Sequence, residues 1–493
     1  MRAMSLRSVS VFAFSIVMLF QVGSQAQEPA AAEKPVDAKA TTKKPVTAIV
    51  GADIHTVTRG VIRNGTILIR DGKIAEVGQR LDIPADAERI DARGKVVVPG
   101  FIAMNMSGLG LQARGADRNE RFADALNPFD SNMKFALGVG ITTGCIQIQT
   151  GGGGGRRGGR APDSRFVGID PDEEQLLSQG SAAELDYGES LPTCPCCGLT
   201  YLPLEPIDES PQPAPQPRRQ AVVKMSWGSL DGMLAKETVF YDATGGALNG
   251  PLAQYQFRQQ VARAREYLKA LAEHEANVRA GQRNQPPRNP VTEDMLRLVK
   301  REIPLRVSAE SVTQIREMIA LVRELDLRLV LDRATEAWLV ADEISAAGVP
   351  LVITPRLQRS PRFGAEDQSG SFVEMPRILE QAGVPFAVSA LADSISLNGI
   401  AGRDLSSLPL EAMFAVRGGA SEAKALEALT IVPARMLGME DRLGSIEVGK
   451  DADLLILDGQ PLDYRVYVEV AFVNGRRVYD RFEDRVYPVF DRR

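Results

Sequence analysis

The sequence predicts an α/β protein in which a (β/α)8, TIM-like barrel is joined to a small composite β-sandwich. Three observations predict this arrangement. Hairpin-rich β sequence comes first, apolar strands then alternate with amphipathic helices over residues 99–440, and further β sequence follows. A repeated strand–helix pattern indicates a parallel sheet, and its length favours a closed barrel.

The β-sandwich is predicted from two segments, residues 46–98 and residues 441–485. The first contains Asn64-Gly65 and Asp71-Gly72 between short apolar runs, and the second contains Asn474-Gly475. Such dipeptides between apolar runs predict hairpin turns. Segments at the two ends of a chain can complete one unit, since the termini of a domain often lie close together.

The barrel strands are predicted from near-continuous apolar runs, which are typical of buried parallel strands. Residues 101–104 open the barrel, and a segment near Val167, RFVGID, is the candidate for a strand that is otherwise missing from the expected eight. Helical spacing of apolar residues follows at 257–271 and again at 312–322. The other six strand runs are GITTGCIQIQ, AVVKMSW, PLRVSAE, LRLVLD, VPLVITP and VPFAVSA.

The N-terminal residues have the pattern of an export signal. Arg2 and Arg7 precede an apolar run at residues 9–20, and Ser24-Gln25-Ala26 provides a small-x-small cleavage site. The run is shorter than the roughly 20 residues that a membrane helix needs. We therefore expect residues 1–26 to be removed, residues 27–45 to form a disordered tether, and the mature protein to be periplasmic or extracellular, with no membrane span.

Composition excludes one class of partner. The chain has 493 residues and a net charge of −5, without a basic stripe, so nothing in it indicates nucleic-acid binding.

A Gly-, Cys- and Pro-rich insert at about residues 151–220 is expected to form long loops over one mouth of the barrel. Its glycine run contains Arg156 and Arg157, which together with backbone amides could bind an anion. A flexible, solvated loop explains the same composition. The run lacks the Gly-Lys-Ser/Thr ending of a phosphate-binding loop.

Four cysteines, in an exported chain, predict at least one disulfide. The pairing is left open by the sequence, because three pairings are possible. A zinc site is less favoured, since CPCC lacks paired C-x2-C spacing. The four residues are Cys145, Cys194, Cys196 and Cys197.

Several motifs together resemble the amidohydrolase superfamily, and in particular its imidazolonepropionase-like members. They are ADIHTVTRGVIRNGTILIRDGKIAEVG, GKVVVPGFI, GITT, ALEALTIVPARMLGMEDRLGSIEVGKDADLLILDG and VNGRRVY. The resemblance implies a (β/α)8 barrel with a small β-sandwich made from both chain ends. It also implies metal-dependent hydrolysis of C–N or related bonds.

The expected metal ligands of that family are missing here. Members would carry His-x-His where Asn105 and Ser107 stand, and further histidines at Ser308 and near Arg333. Members would also carry an aspartate after a late barrel strand, here VPFAVSA, and the nearest acidic residue to that position is Asp393. Zinc requires imidazole, thiolate or carboxylate ligands, which the substituted positions do not supply.

Only two histidines occur in the whole chain. His55 lies in the first β segment and His274 on the predicted long helix, so neither is at the end of a barrel strand. We therefore expect neither a metal nor another cofactor in the barrel, although the family would imply zinc or another divalent ion.

Five charged side chains are expected near the strand ends: Lys224, Glu310, Asp332, Arg333 and Asp393. In one interpretation they form an ion-pair network that fills the space of the missing metals. In another, Lys224, which could match the family's bridging lysine, acts with Asp332 or Asp393 in metal-free acid–base chemistry. A third is a hard-ion site built from carboxylate and Asn105 oxygens.

The leading hypothesis is an exported amidohydrolase-like protein that has lost its metal and acts as a non-catalytic binding or partner subunit. Its partner would be an active relative or a second copy of the chain, and a small molecule would be its ligand. The alternatives are an active hydrolase on amides or cyclic amides that uses Lys224 and carboxylates, and a redox or metal protein centred on the cysteines.

Overall fold

The structure is a computed structural model that describes residues 46–111, 122–148, 219–244, 246, 248, 250–282, 285–357, 372–395 and 404–487. The predictions for the signal peptide, the tether, the RFVGID strand, Arg156, Arg157 and the CPCC motif lie outside these residues.

The described strands are β1 (Thr47–His55), β2 (Val61–Arg70), β3 (Lys73–Gly78), β4 (Glu88–Asp91), β5 (Val96–Pro99), β6 (Phe101–Met106), β7 (Ile141–Ile148), β8 (Arg219–Lys224), β9 (Leu234–Glu237), β10 (Tyr241–Ala243), β11 (Leu305–Ser308), β12 (Leu329–Asp332), β13 (Leu351–Ile353), β14 (Phe386–Val388), β15 (Leu454–Leu457), β16 (Val468–Val473) and β17 (Arg476–Asp480).

The described α-helices are α1 (Phe122–Ala125), α2 (Asn132–Gly138), α3 (Pro251–Arg279), α4 (Glu293–Val299), α5 (Val312–Glu324), α6 (Ala341–Ala347), α7 (Met375–Gln381), α8 (Leu408–Arg417), α9 (Glu422–Leu429), α10 (Ile431–Met436) and α11 (Arg481–Asp484). Short 3-10 helices occur at Ala337–Leu339 and Leu405–Ser407.

The two terminal β segments join in one eight-stranded sheet, as predicted. Its order is β17-β16-β15-β5-β1-β2-β3, with β4 beside β1. The junction is the antiparallel pair of β5 and β15, where Val97 lies opposite Ile456. Side chains from both segments, including Ile49, Ile67, Val97, Leu454 and Phe472, form one buried apolar cluster on the sheet.

Two of the three predicted hairpin turns are present. Asp71-Gly72 and Asn474-Gly475 have positive φ at both residues, as two-residue hairpin turns of this kind require. The prediction for Asn64-Gly65 was wrong, because β2 continues through it. The dipeptide forms a bulge there: Gly65 pairs with Ala52 and the register then shifts, and a Cβ at Gly65 would lie 2.6 Å from Cδ1 of Ile54.

The barrel is built from two sheets, β6-β7-β8-β9 and β10-β11-β12-β13-β14. The strands of the second sheet are all parallel, and β6 is parallel to β7. The first and last strands meet through side chains, since Nδ2 of Asn105 donates to Oγ of Ser389 at 3.0 Å. The seven strand runs predicted within the described residues are all strands of the barrel, and two further short strands, β9 and β10, were not indicated by the sequence patterns.

The direction of β8 differs from the prediction. AVVKMSW was expected to be a parallel barrel strand, but β8 runs antiparallel to β7, with Ile148 opposite Arg219 and Thr143 opposite Lys224. The chain that leaves the end of β7 therefore returns at the same edge of the barrel. Consequently the end of β8, which carries Lys224, lies level with the beginning of β7.

The barrel interior and the layer between barrel and helices form separate apolar clusters. The interior contains Met104, Val222, Phe240 and Val352, and α10 packs against it at one end. The outer cluster includes Val307 and Leu331 on the strands and Ile315 on α5, whose N-terminus has a capping box between Ser311 and Gln314. Among the described residues, no helix combines the length and apolar character of a membrane span.

Candidate functional site

The C-terminal ends of β6 and of β10 to β14 meet at one mouth of the barrel, where this fold places its active sites. Asn105 and Ser107 lie at the end of β6, Ser308 at the end of β11 and Asp332 at the end of β12. The central group of this region is Arg306, a residue that the sequence analysis did not select. Its side chain is 0% exposed.

Strand alternation directs Arg306 into the barrel. Its neighbours Leu305 and Val307 belong to the apolar layer under the helices, so the residue between them faces the interior. Phe240 provides an aromatic wall, with its ring centroid 5.3 Å from the guanidinium carbon. A cation over an aromatic face is favourable, particularly where water is excluded.

The guanidinium of Arg306 connects three strands. Its Nη2 donates to Oδ2 of Asp332 at 2.5 Å and to Oδ1 of Asn105 at 2.7 Å. Its Nη1 donates to the carbonyl oxygen of Met104 at 3.1 Å. The interaction with Asp332 is an ion pair in which the two side chains are 0% and 7% exposed.

A second buried carboxylate, Asp242 on β10, also faces this group. Its Oδ1 accepts from the backbone nitrogen and the hydroxyl of Thr244, at 2.8 and 2.7 Å, and its Oδ2 accepts from Nε2 of Gln220. Burial alone lowers the pKa of Arg306, but the charges of Asp332 and Asp242 outweigh burial and raise it. Arg306 therefore remains a cation.

The side chains at the mouth do not fit a catalytic metal. Both ends of the Asn105 amide are used, because Nδ2 donates to Ser389 and Oδ1 accepts from Arg306. Oγ of Ser308 donates to the carbonyl oxygen of Thr244 at 3.1 Å. A buried guanidinium also occupies the space on which these residues converge, and it repels cations. In the described part of the chain, no three His, Cys, Asp or Glu residues are grouped as metal ligands.

The remaining residues predicted at the mouth lie outside this network. Oγ of Ser107 donates to Oδ1 of Asp393 at 2.9 Å, and the backbone nitrogen of Ser107 donates to the carbonyl oxygen of Asp393 at 2.7 Å. Arg333 is exposed, with a positive φ of 55°. Glu310 is half-buried, and its backbone carbonyl accepts from the backbone nitrogen of Glu336.

The predicted position of Lys224 is corrected by the antiparallel course of β8. Lys224 lies at the opposite end of the barrel from Asp332, against the eight-stranded sheet. Its Nζ is 2.7 Å from Oδ2 of Asp451 and 2.9 Å from Oδ2 of Asp453, and it donates to Oδ1 of Asn474 at 2.7 Å. The side chain is 0% exposed. Lys224 therefore joins the barrel to the sheet and does not share a site with Asp332 or Asp393.

Among the four cysteines, Cys145 is the one within the described residues, and it is a buried free thiol. It lies in the barrel interior, where burial raises the pKa of its thiol to about 12. Its Sγ is 3.9 Å from Oε1 of Gln220. A thiol in this state is a poor nucleophile, since the thiolate is the reactive form.

Of the five charged residues predicted for an ion-pair network in the barrel, Asp332 belongs to the network found here, whereas its other charged members, Arg306 and Asp242, were not predicted. Arg306 and Asp242 were missed because each is a single charged residue within a short apolar run. The alternation in LRVS was the available signal. A parallel barrel strand is buried on both faces, so Arg306 had to lie in the interior if Leu305 and Val307 face the helices.

Comparison with known proteins shows where the chain is similar to others. A family model described as "Amidohydrolase family" matches residues 260–480. A dihydroorotase from Anaeromyxobacter sp. (strain K) is 32% identical over 102 residues, which are 21% of each chain. An imidazolonepropionase from Mycolicibacterium smegmatis is 41% identical over 64 residues, 13% of this chain and 15% of the relative. The matches thus span about a fifth or less of these curated relatives.

Among solved structures, an amidohydrolase from Thermotoga maritima MSB8 aligns with a TM-score of 0.60. It is 22% identical, and the alignment covers 88% of this chain and 100% of that one. At this identity the similarity concerns the fold.

Proposed function

We propose that this chain is a member of the amidohydrolase superfamily without the catalytic metal site, and that it acts as a non-catalytic binding or partner subunit. The observation that carries the proposal is the buried contact of Arg306 with Asp332 and Asn105.

The physical argument concerns charge. Hydrolases of the superfamily resembled here depend on a bound ion, which lowers the pKa of its water from about 16 to about 7. A fully buried guanidinium at the convergence of the mouth residues disfavours a second cation there. The carboxylate of Asp332, the acid nearest to that point, is already paired with Arg306.

The geometry also disfavours metal-free hydrolysis by Lys224. A general base must lie within hydrogen-bond reach of the reacting group or of one intervening water. Lys224 is enclosed at the other end of the barrel by Asp451, Asp453 and Asn474. The position of Lys224 therefore disfavours the alternative in which it acts as the base of an active hydrolase.

Export and partnership belong to the same proposal. The N-terminal pattern of two arginines, an apolar run and Ser24-Gln25-Ala26 supports secretion to the periplasm or the cell exterior. N-terminal sequencing of mature protein should begin at or near Gln27, and an intact Met1 on a cytoplasmic pool would refute export. The partner we propose is an active relative or a second copy.

The test of the central proposal is a set of metal measurements on purified full-length protein. We expect well below one equivalent of zinc, manganese or iron per chain by elemental analysis. We also expect no turnover of N-acyl amino acids, hydantoins or small lactams. About one tightly bound transition metal per chain, retained after replacement of all four cysteines, would overturn the proposal.

A gain-of-site series sharpens this test. One variant carries Asn105→His, Ser107→His, Ser308→His and Arg333→His, a second adds Arg306→Met, and Arg306→Met alone is the matched control. We expect zinc uptake mainly in the five-fold variant, because the guanidinium blocks the site in the four-fold one. Equal uptake by the four-fold and five-fold variants would contradict the role assigned to Arg306.

A further inference from the structure

A cavity of about 640 Å³ lies at the end of the barrel opposite the mouth. Pro304, Leu329, Pro350 and Pro385 line it, and each of them precedes or begins one of the adjacent strands β11 to β14. The cavity therefore opens at the N-terminal ends of these strands. Its volume is within the range of about 300–1,000 Å³ that is typical of small-molecule sites.

Four exposed arginines line this cavity: Arg301, Arg323, Arg328 and Arg435. Arg301 is paired with Asp326. Within the part of the chain that the structure describes, the other three form no ion pair. Their one side-chain hydrogen bond is from Nη1 of Arg328 to the carbonyl oxygen of Arg301 at 3.5 Å. Each guanidinium has five N–H donors, so most of them remain available to a ligand.

The balance of charge in the lining is positive. Its acidic side chains are Asp326 and Glu440, against four arginines. The C-terminal ends of α5 and α6 also contribute about half a negative charge each, which offsets part but not all of the excess. Burial is the main cause of the lowered pKa of Lys236, and the charges of Arg297 and Arg328 lower it further while that of Glu440 raises it.

Five apolar residues that line the cavity are at most 5% exposed and form its floor: Leu329, Val330, Val349, Val432 and Met436. An apolar floor beneath a rim of guanidinium groups matches a molecule with an apolar body and an anionic end. Arginine binds carboxylates and phosphates through paired, charge-assisted hydrogen bonds, which are stronger than neutral ones.

We propose that this cavity binds a small organic anion, with its apolar body on the floor and its carboxylate or phosphate on the guanidinium groups of Arg323, Arg328 and Arg435. The site is separate from the mouth of the barrel. It does not depend on whether the mouth holds a metal, so the metal measurements above neither support nor refute it.

The test is isothermal titration calorimetry of the full-length protein at low salt. The probes are phenyl phosphate, phenylacetate, inorganic phosphate and benzyl alcohol. We expect at least one of the two organic anions to bind with a Kd below about 1 mM, and at least about 10-fold more tightly than inorganic phosphate and benzyl alcohol. Whichever of phenyl phosphate and phenylacetate binds more tightly shows whether the site prefers a phosphate or a carboxylate. If neither binds in this way, the proposal is overturned.

The double variant Arg328→Met/Arg435→Met should weaken that binding at least about 10-fold, since both side chains are exposed and their loss leaves the fold intact. Arg263→Met is the matched control, because Arg263 is an exposed arginine on α3 that does not line the cavity. Its affinity should stay within about twofold of the native value. Native-like affinity of the double variant would overturn the assignment.

Discussion

Replacement of Arg306 by methionine tests whether the buried ion pair stabilises the barrel interior. Methionine is unbranched and adapts to irregular space, so it fills much of the volume of the arginine without its charge. The substitution removes the donor 2.5 Å from Asp332 and the donor 2.7 Å from Oδ1 of Asn105. Asp332, which is 5% exposed, would then be a buried acid that has lost the cation it pairs with.

The expected cost is large. Removal of one partner from a buried ion pair typically destabilises a protein by about 3–5 kcal/mol, because the other charge remains buried. Arg316→Met is the matched control: Arg316 pairs with Glu343 on the surface, where the side chains are 56% and 49% exposed. Exposed pairs contribute about 0.2–1 kcal/mol, so the control should change the free energy of unfolding by no more than that.

The assay is urea denaturation at pH 7, followed by far-ultraviolet circular dichroism, with midpoints compared at equal slope. A second variant, Arg306→Met/Asp332→Asn, should recover part of the loss because it removes the charge that Arg306→Met leaves unpaired. Two results would refute the reasoning. One is a midpoint for Arg306→Met as high as that of Arg316→Met, and the other is a double variant less stable than Arg306→Met.

Three further predictions concern other buried groups. Lys224→Met should cost about 3–5 kcal/mol in the same assay, because it removes the cation paired with buried Asp453 and one of the cations paired with Asp451, and a loss under about 1 kcal/mol would contradict the junction described above. Burial raises the pKa of Asp451, but Lys224 and Arg442 outweigh burial and the net shift is downward. Its stabilising effect is therefore complete above about pH 3.9 and is lost as the pH falls through the lowered folded value. Asp451→Asn should accordingly flatten the acid limb of the stability curve, and an unchanged limb would exclude this contribution. Cys145 should resist iodoacetamide at pH 8 until the protein unfolds, as measured by mass spectrometry of digested peptides; rapid labelling of native protein would contradict its burial.

The sequence predicted the elements of this fold better than their directions. Apolar runs identify β11 to β14 because a parallel strand covered on both faces must be apolar almost throughout. The same signal identifies β8, but hydrophobic periodicity is identical for a strand read in either direction. The antiparallel course of β8 depends on the edge at which the insert returns to the barrel, and that is a tertiary property.

That error carried over to the site. Lys224 follows an apolar run, so a parallel reading of β8 brings it to the mouth, whereas the reversed strand brings it to the sheet at the other end. The bulge at Asn64-Gly65 has a similar cause. The dipeptide specifies a local conformation with positive φ, but partner residues such as Ile54 and Ala52 decide whether it closes a turn or interrupts a long strand.

The sequence could indicate which types of side chain stand at the candidate site. It could not indicate which of these side chains contact one another. The positions of Asn105, Ser107 and Ser308 lack good metal ligands whatever their geometry. The identity of the buried cation at the mouth depends on contacts between strands about 200 residues apart, since Arg306 meets Met104 and Asn105. Such contacts are set by the closure of the barrel and not by local pattern.

The two ends of the barrel differ in how their charged side chains are paired. At the mouth, the positive charge of Arg306 is fully desolvated and is used to stabilise neighbouring strands, so a ligand there would have to disrupt a network whose loss costs several kcal/mol. At the base, Arg323, Arg328 and Arg435 are hydrated and line an open cavity, so an anion can bind them without breaking an ion pair of the described residues. Binding at the base is therefore the less costly of the two. The anion site proposed above therefore lies at the end of the barrel where binding requires the smaller rearrangement of charge.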